Sequence, residues 1–337
     1  MVIGKKAMYK NLKSSVFLLP VVLLIFLFSC TTFPEHPAAD RLVAYTVKND
    51  ETLLSRYAPV FVIENHKERY NLIGTPVAEI TQEMKEKIYV DPEKATVYVQ
   101  KRMFKTFRST YTNLVYRVHF EKIPGGLVPF YLGKGKNTGL IVIITLSSRN
   151  EPILYTTVHT CGCYLAFVPT SYMPASGFPD GWKRARQSVF SENLPGFLDY
   201  KGSSPDRNRT VILLRDGSHR VKDIWLSAAD SLKKYNTVVA EVQPLASLEK
   251  LPLKNYETTS FYEISGPRKG YVKGSHKIRE RFLMSWWAFD WRIGEDKKFG
   301  KDKNDGILFY TSLKPWNREK SDMRDFVIFL KYWKWNL

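Results

Sequence analysis

The chain has 337 residues, 44% of them hydrophobic and 14% aromatic, and 51 lysines and arginines outnumber 33 acids for a net charge of +18. A chain this long and this apolar can bury one or two cores, which excludes a disordered polyelectrolyte. Three cysteines exclude a disulfide-built scaffold.

Residues 1–29 carry Lys5, Lys6, Lys10 and Lys13, no acid, and then an apolar run from Val16 to Phe28 interrupted by Pro20. A basic start followed by a short apolar run is the layout of a secretory signal, and this run is shorter than the roughly 20 residues that span a bilayer. Leu27-Phe28-Ser29-Cys30 resembles the lipobox of bacterial lipoproteins. The resemblance covers the first thirty residues only. It implies lipidation of Cys30, loss of residues 1–29 and attachment to the cell envelope. Thr31 stands where an Asp would imply inner-membrane retention, so the resemblance points to the outer membrane. The alternative is a plain anchoring segment with an incidental cysteine.

Loss of residues 1–29 would lower the net charge of +18 by four. A basic chain suggests nucleic acid. An exported one does not ordinarily meet it, so anionic lipids or acidic glycans become the expected polyanions. The positive charge is spread along the chain, and a solvated basic surface accounts for it equally well.

Residues 30–40, polar and proline-punctuated, read as a lipidated tether. Asp40 is placed to cap a helix carrying Leu42, Val43, Leu53 and Leu54, which Asn49-Asp50 would break in two on an alternative reading, and residues 76–87 pattern as another modest helix. Residues 57–63 read as a strand. From Ala95 onward the chain becomes a series of β-rich runs, at 95–99, 114–120, 140–146 and 153–168, separated by Gly, Pro, Asn and Ser clusters. The link at 147–152 predicts a hairpin, as does Asp216-Gly217-Ser218 between runs at 210–214 and 221–226. A short helix is expected at 227–236 and a strand at 237–242. The fold class expected is α+β: a β-rich body with antiparallel hairpins and a few short helices. Residues 41–253 would form a main domain, with a Trp- and Lys-rich portion, 254–337, packed on it.

The densest chemistry lies in residues 154–170, LYTTVHTCGCYLAFVPT. Read as an extended strand, it places His159, Cys161 and Cys163 on one face. Three such side chains could hold a thiophilic ion, zinc or cuprous copper, with a fourth ligand from elsewhere. His119, on the polar face of the 114–120 strand with Arg117 and Glu121, is the first candidate for that ligand. Gly162 would also permit a strained Cys-Gly-Cys disulfide, readily reduced. The competing reading is two unligated thiols on a core strand.

Six of the eight tryptophans fall in the last fifty-two residues: Trp286, Trp287, Trp291, Trp316, Trp333 and Trp335. A second aromatic core, a membrane interface and a ligand-stacking platform all fit that composition. Asp296 and the 302–306 loop resemble a calcium loop only superficially: the acids fall at the wrong spacing and four lysines crowd the cation, so a turn is expected. The sequence contains no GxSxG, HExxH, Walker or GxGxxG pattern and no internal repeat. Three functions therefore compete. The first is a lipid-anchored envelope protein with a binding or structural role. The second is an exported enzyme using the His159/Cys161/Cys163 cluster for metal or cysteine chemistry. The third is a surface polyanion binder.

Overall fold

The computed structural model describes residues 41–125, 131–202, 207–253, 257–300 and 308–337. The chain begins with β1 (Leu42–Val47), makes a one-turn helix α1 (Leu53–Arg56), and returns as β2 (Val60–Glu64). A small hairpin follows, β3 (Thr75–Ile80) with β4 (Glu86–Asp91). Four long strands then run up and down: β5 (Thr96–Lys105), β6 (Thr110–Ile123), β7 (Gly135–Leu146) and β8 (Pro152–His159). After β9 (Ala166–Pro169) come the hairpin β10 (Arg186–Val189) and β11 (Glu192–Pro195), and the hairpin β12 (Asn208–Leu214) and β13 (Val221–Ala228). The last long strand is β14 (Asn236–Pro244). Two helices close the chain, α2 (Ile278–Ala288) and α3 (Phe326–Tyr332).

Ten of these strands form one mixed sheet in the order β13-β12-β2-β1-β14-β5-β6-β7-β8-β9. The expected hairpins at 147–152 and 216–218 are present as β7–β8 and β12–β13. The parallel pairs β1–β14, β14–β5 and β12–β2 were not legible in the sequence. Each joins segments remote in the chain, and strand alternation does not record a strand's neighbour.

Of the two expected helices, the 42–47 part of the first and the whole of the second are not helical, while Leu53 and Leu54 do lie in a helix, α1. Residues 42–47 are claimed on both edges, antiparallel by β2 and parallel by β14. Residues 76–87 fold as a hairpin because the chain turns at 81–85. There Thr81 N donates to Lys85 O (2.9 Å), Met84 N to Thr81 O (3.0 Å), and Met84 adopts a left-handed φ of 57°. The expected helix at 227–236 is a 3-10 turn, Ala229–Lys234.

The sheet curls, and the curl encloses the main core. Alternate residues of β6, Leu114, Tyr116, Val118 and Phe120, face inward with Leu140 and Val142 of β7 to meet Phe61 and Ile63 of β2 and Ile212 of β12. Tyr155 on β8 reaches across the curl, its buried hydroxyl bonding Thr210 of β12 (2.7 Å) and Tyr200 (2.8 Å). These strands lie near opposite edges of the sheet. The β10–β11 hairpin lies between those edges: Gln187 donates to the Phe167 carbonyl of β9 (2.6 Å), and Glu192 pairs with Arg220 (3.1 Å) beside β13.

The outer face of β6–β8 is covered too. Val115, Ile141, Ile143, Leu154 and Val158 pack under Phe261, Val272, Phe309, Met323, Phe329 and Trp335 from the C-terminal portion. Burial on both faces explains the unbroken apolar run Leu140-Ile141-Val142-Ile143-Ile144. It also corrects the reading of β6 as a strand with one polar face. Arg117 and His119 point outward from the curl yet are fully buried beneath Phe261 and Tyr262.

Removing the Tyr155 hydroxyl leaves two buried hydroxyls without their shared partner. Tyr155→Phe is expected to destabilise the fold by about 1–3 kcal/mol, read as a lower denaturation midpoint at unchanged slope.

Candidate functional site: a paired-thiol hairpin over a buried lysine

Strand β8 stops at His159, and residues 160–163 turn back rather than continuing as a strand. Gly162 N donates to His159 O (2.8 Å) and His159 N to Cys163 O (2.9 Å). Gly162 has φ +91° and lies so near Tyr310 that a Cβ would sit 2.1 Å from its carbonyl oxygen. Only glycine fits both conditions. The single face expected for His159, Cys161 and Cys163 is therefore not formed, because the turn breaks the two-residue alternation between His159 and the cysteines.

The turn is fastened from beneath. Thr160 N donates to Gly139 O (2.9 Å), Lys297 N to Thr160 O (2.8 Å), and Lys297 Nζ to Cys161 O (2.6 Å). The Thr160 hydroxyl donates to Asp296 Oδ1. Cys161 is buried, Cys163 is half-buried, and both are free thiols, so the disulfide considered from sequence is not formed. Cys163 N–H points at Cys161 Sγ (3.4 Å). Beside them lies Lys277, fully enclosed, its ammonium 3.3 Å from Asp296. Gly135 leaves room for the lysine stem; a Cβ there would come within 2.8 Å of Lys277 Cγ.

The electrostatics distinguish the two sulfurs. A hydrogen bond from Cys163 pulls the Cys161 thiol below its ordinary value against the cost of burial; Lys277 assists, while Asp296 and Glu280 oppose. The same bond, then burial, pushes Cys163 well above it. The pair thus holds a first negative charge on Cys161 and resists a second on Cys163. Burial works against the Lys277 ammonium, yet Asp296 foremost, followed by Cys161, Glu280 and Cys163, keeps it well above the ordinary lysine value.

The histidines divide. His159 Nε2 lies 3.0 Å from the His219 carbonyl, which can only accept, so Nε2 carries the proton. Burial first and Lys277 second keep its imidazole neutral. His219 stacks on Phe120 of the main core (ring centroids 3.9 Å), which puts His159 on the inner face. His119 is on the other face, against Phe261 and Tyr98, with Arg117 Nε donating to its Nε2 (3.0 Å). The sequence reading of His119 as a fourth ligand is thereby corrected: Gly139 pairs with His119 and receives Thr160, placing His119 beside Thr160 rather than beside the sulfurs. Among the described residues, no group of three or more His, Cys, Asp and Glu side chains is placed to hold a metal ion. Cys30 and the 302–306 loop lie outside the described residues.

Sequence reasoning missed Lys277, Asp296 and Lys297. Each sits in a polar stretch where lysine and aspartate usually meet water, and only tertiary packing brings them to the turn.

Comparison with protein-family models, with curated proteins and with solved structures returned no match to this chain. No helix of the described residues is long and apolar enough to cross a membrane.

Cys163→Ala removes the hydrogen bond to Cys161 and Lys277→Met removes the cation. In each variant the pH midpoint for alkylation of Cys161 is expected to move upward, measured as rate of iodoacetamide labelling against pH. A second expectation concerns His219, whose burial depresses its pKa from 6.5 to about 3. The unfolded chain binds this proton between those values and the native one does not. Stability is therefore complete above about pH 6.5 and falls as pH drops toward 3, by up to ~1.4 kcal/mol per pH unit from this group. His219→Asn is expected to flatten that slope in denaturation curves taken at pH 7, 6 and 5.

Proposed function

We propose that the chain is an exported, lipid-anchored protein of the bacterial cell envelope whose body presents Cys161 and Cys163 as a reactive dithiol for a thiophilic partner. The anchoring half of the reading rests on the lipobox-like segment ending at Cys30. The dithiol half rests on one observation: two reduced thiols share a tight turn, and the sulfur that ionises first is backed by a buried ammonium. Unligated core cysteines need neither a glycine-only turn nor a buried lysine.

The chemistry supported is exchange with a partner protein's disulfide. The Cys161 thiolate attacks one partner sulfur; the partner S–S bond breaks as the Cys161–S bond forms, and the leaving thiolate takes a proton. Cys163 then loses its proton and attacks Cys161 Sγ, releasing the second partner thiol. The partner gains two electrons and two protons, and the Cys161–Cys163 pair loses them. A disulfide across a single glycine departs from preferred geometry, so the equilibrium of this exchange lies toward the partner disulfide and the reduced Cys161–Cys163 pair.

The test is trapping. In Cys163→Ser the mixed disulfide on Cys161 is not resolved and should accumulate with a disulfide-bearing peptide, seen by intact mass. Cys161→Ser should trap far less. Equal trapping by both variants, or by neither, would remove the exchange reading. A stoichiometric metal in the native mass, lost on denaturation, would replace it with the metal reading. Palmitate labelling that persists in Cys30→Ser would remove the anchoring half.

A further inference from the structure

Helix α2 is built inside out. A helix laid on a domain normally turns its apolar stripe to the core. Here the residues facing the domain are Glu280, Ser285 and Ala288, while Ile278, Phe282, Trp286 and Trp287 face outward, followed by Phe289 and Trp291. Phe282 is 80% exposed, Trp286 72% and Phe289 77%. Residues spaced at 278, 282 and 286 lie on one side of the helix, and Phe289, its left-handed C-cap, and Trp291 continue the exposed apolar surface just beyond its end. The strip does not belong to the second core, which draws instead on Phe326, Phe329 and Trp335.

The charges are sorted the same way. The acids of the segment point in: Glu280 is buried against Gly294, where a Cβ would come within 2.0 Å of its carboxylate, and Asp290 is buried and accepts from the Tyr310 hydroxyl. Outside remain cations. Arg281 is exposed with its guanidinium 5.5 Å from the Trp291 ring, and Arg279 is half-exposed. An apolar aromatic strip bordered by arginines, with no exposed acid between residues 277 and 291, complements an anionic head-group layer above acyl chains.

Position supplies a second argument. Strand directions place the start of β1, the C-terminal ends of β2, β6, β8 and β12, and the start of β7 at one end of the sheet. Lys277, immediately before α2, packs on Gly135 at that same end. The chain upstream of Arg41, which holds the apolar run 16–28 and Cys30, therefore joins the body on the side where α2 lies. From β1 to β7 is four strand spacings, about 19 Å. The eleven residues from Cys30 to Asp40 can extend to roughly 36–40 Å. A lipid on Cys30 can thus insert into the bilayer on which α2 would rest.

We propose that α2 and its extension to Trp291 form a membrane-docking face that seats the body on an anionic bilayer, parallel to the surface. It rests on the envelope half of the proposed function and is independent of the dithiol chemistry. Docking would hold the Cys161–Cys163 turn, at the same end of the sheet, close to the membrane.

The test uses the full chain on phosphatidylglycerol-containing vesicles doped with brominated lipid. Tryptophan emission is expected to shift to the blue and to be quenched at least twofold, less so as salt rises or when phosphatidylcholine replaces the anionic lipid. Most of that quenching should vanish in Trp286→Phe/Trp287→Phe/Trp291→Phe. Phe282→Glu should lower quenching of the remaining rings while leaving the alkylation rate of Cys161 unchanged, which shows that the body is folded. Vesicle-bound chain whose emission escapes the quencher overturns the docking face and leaves the anchor standing. Quenching that survives in Cys30→Ser upholds the face and removes the need for the anchor. A stable dimer by sedimentation that shields these rings from quencher overturns the proposal in favour of a second copy.

Discussion

The structure depends on strands β6, β7 and β8 being covered on both faces. Their side chains are buried on each side, most of them apolar, so a curled sheet alone would leave one whole face in water. The curl satisfies the inner face and the C-terminal portion satisfies the outer one. At roughly 25 cal/mol per Å² of apolar surface removed from water, neither cover is optional for a sheet this size. The candidate site lies where the two covers meet at the end of the sheet, because there the turn after β8 must pack on Tyr310, Asp296 and Lys297 from the outer layer.

Burying that many charged groups costs desolvation, which the structure offsets by pairing and carbonyl contacts. Arg117 gives Nη1 to the Lys297 carbonyl (2.9 Å), and Lys297 gives its ammonium to the carbonyls of Cys161 and Glu295 while lying 4.4 Å from the Tyr310 ring centroid. Lys277 and Asp296 form a buried ion pair, which is seldom a source of stability by comparison with apolar packing. A buried pair beside two thiols therefore has a clearer physical use in setting the protonation of Cys161 than in holding the fold.

The thiol turn and the inverted helix share this end of the molecule. Lys277 links them: its ammonium pairs with Asp296 and acts electrostatically on the thiols, and the next residue starts α2. Sequence reasoning left the C-terminal tryptophans between core and interface, and the structure divides them. Trp335 is buried in the second core with Trp333 packed against it, whereas Trp286, Trp287, Trp291 and Trp316 are exposed. Composition could not separate the two groups, since both interleave aromatic residues with cations.

By itself the sequence determined a β-rich body and its local hairpins at 147–152 and 216–218. These follow from alternation and turn chemistry, which act over a few residues. It misread 42–47 and 76–87 as helices because a short amphipathic pattern does not separate helix from strand until a neighbouring strand or a turn decides. Only the tertiary structure decided that β8 ends at His159, that His119 and His159 lie on opposite faces, and that Lys277 and Asp296 stand beside the sulfurs. Those outcomes depend on strand register and on which distant segments cover the sheet. Residues more than a hundred positions apart leave no local trace of such contacts in the chain.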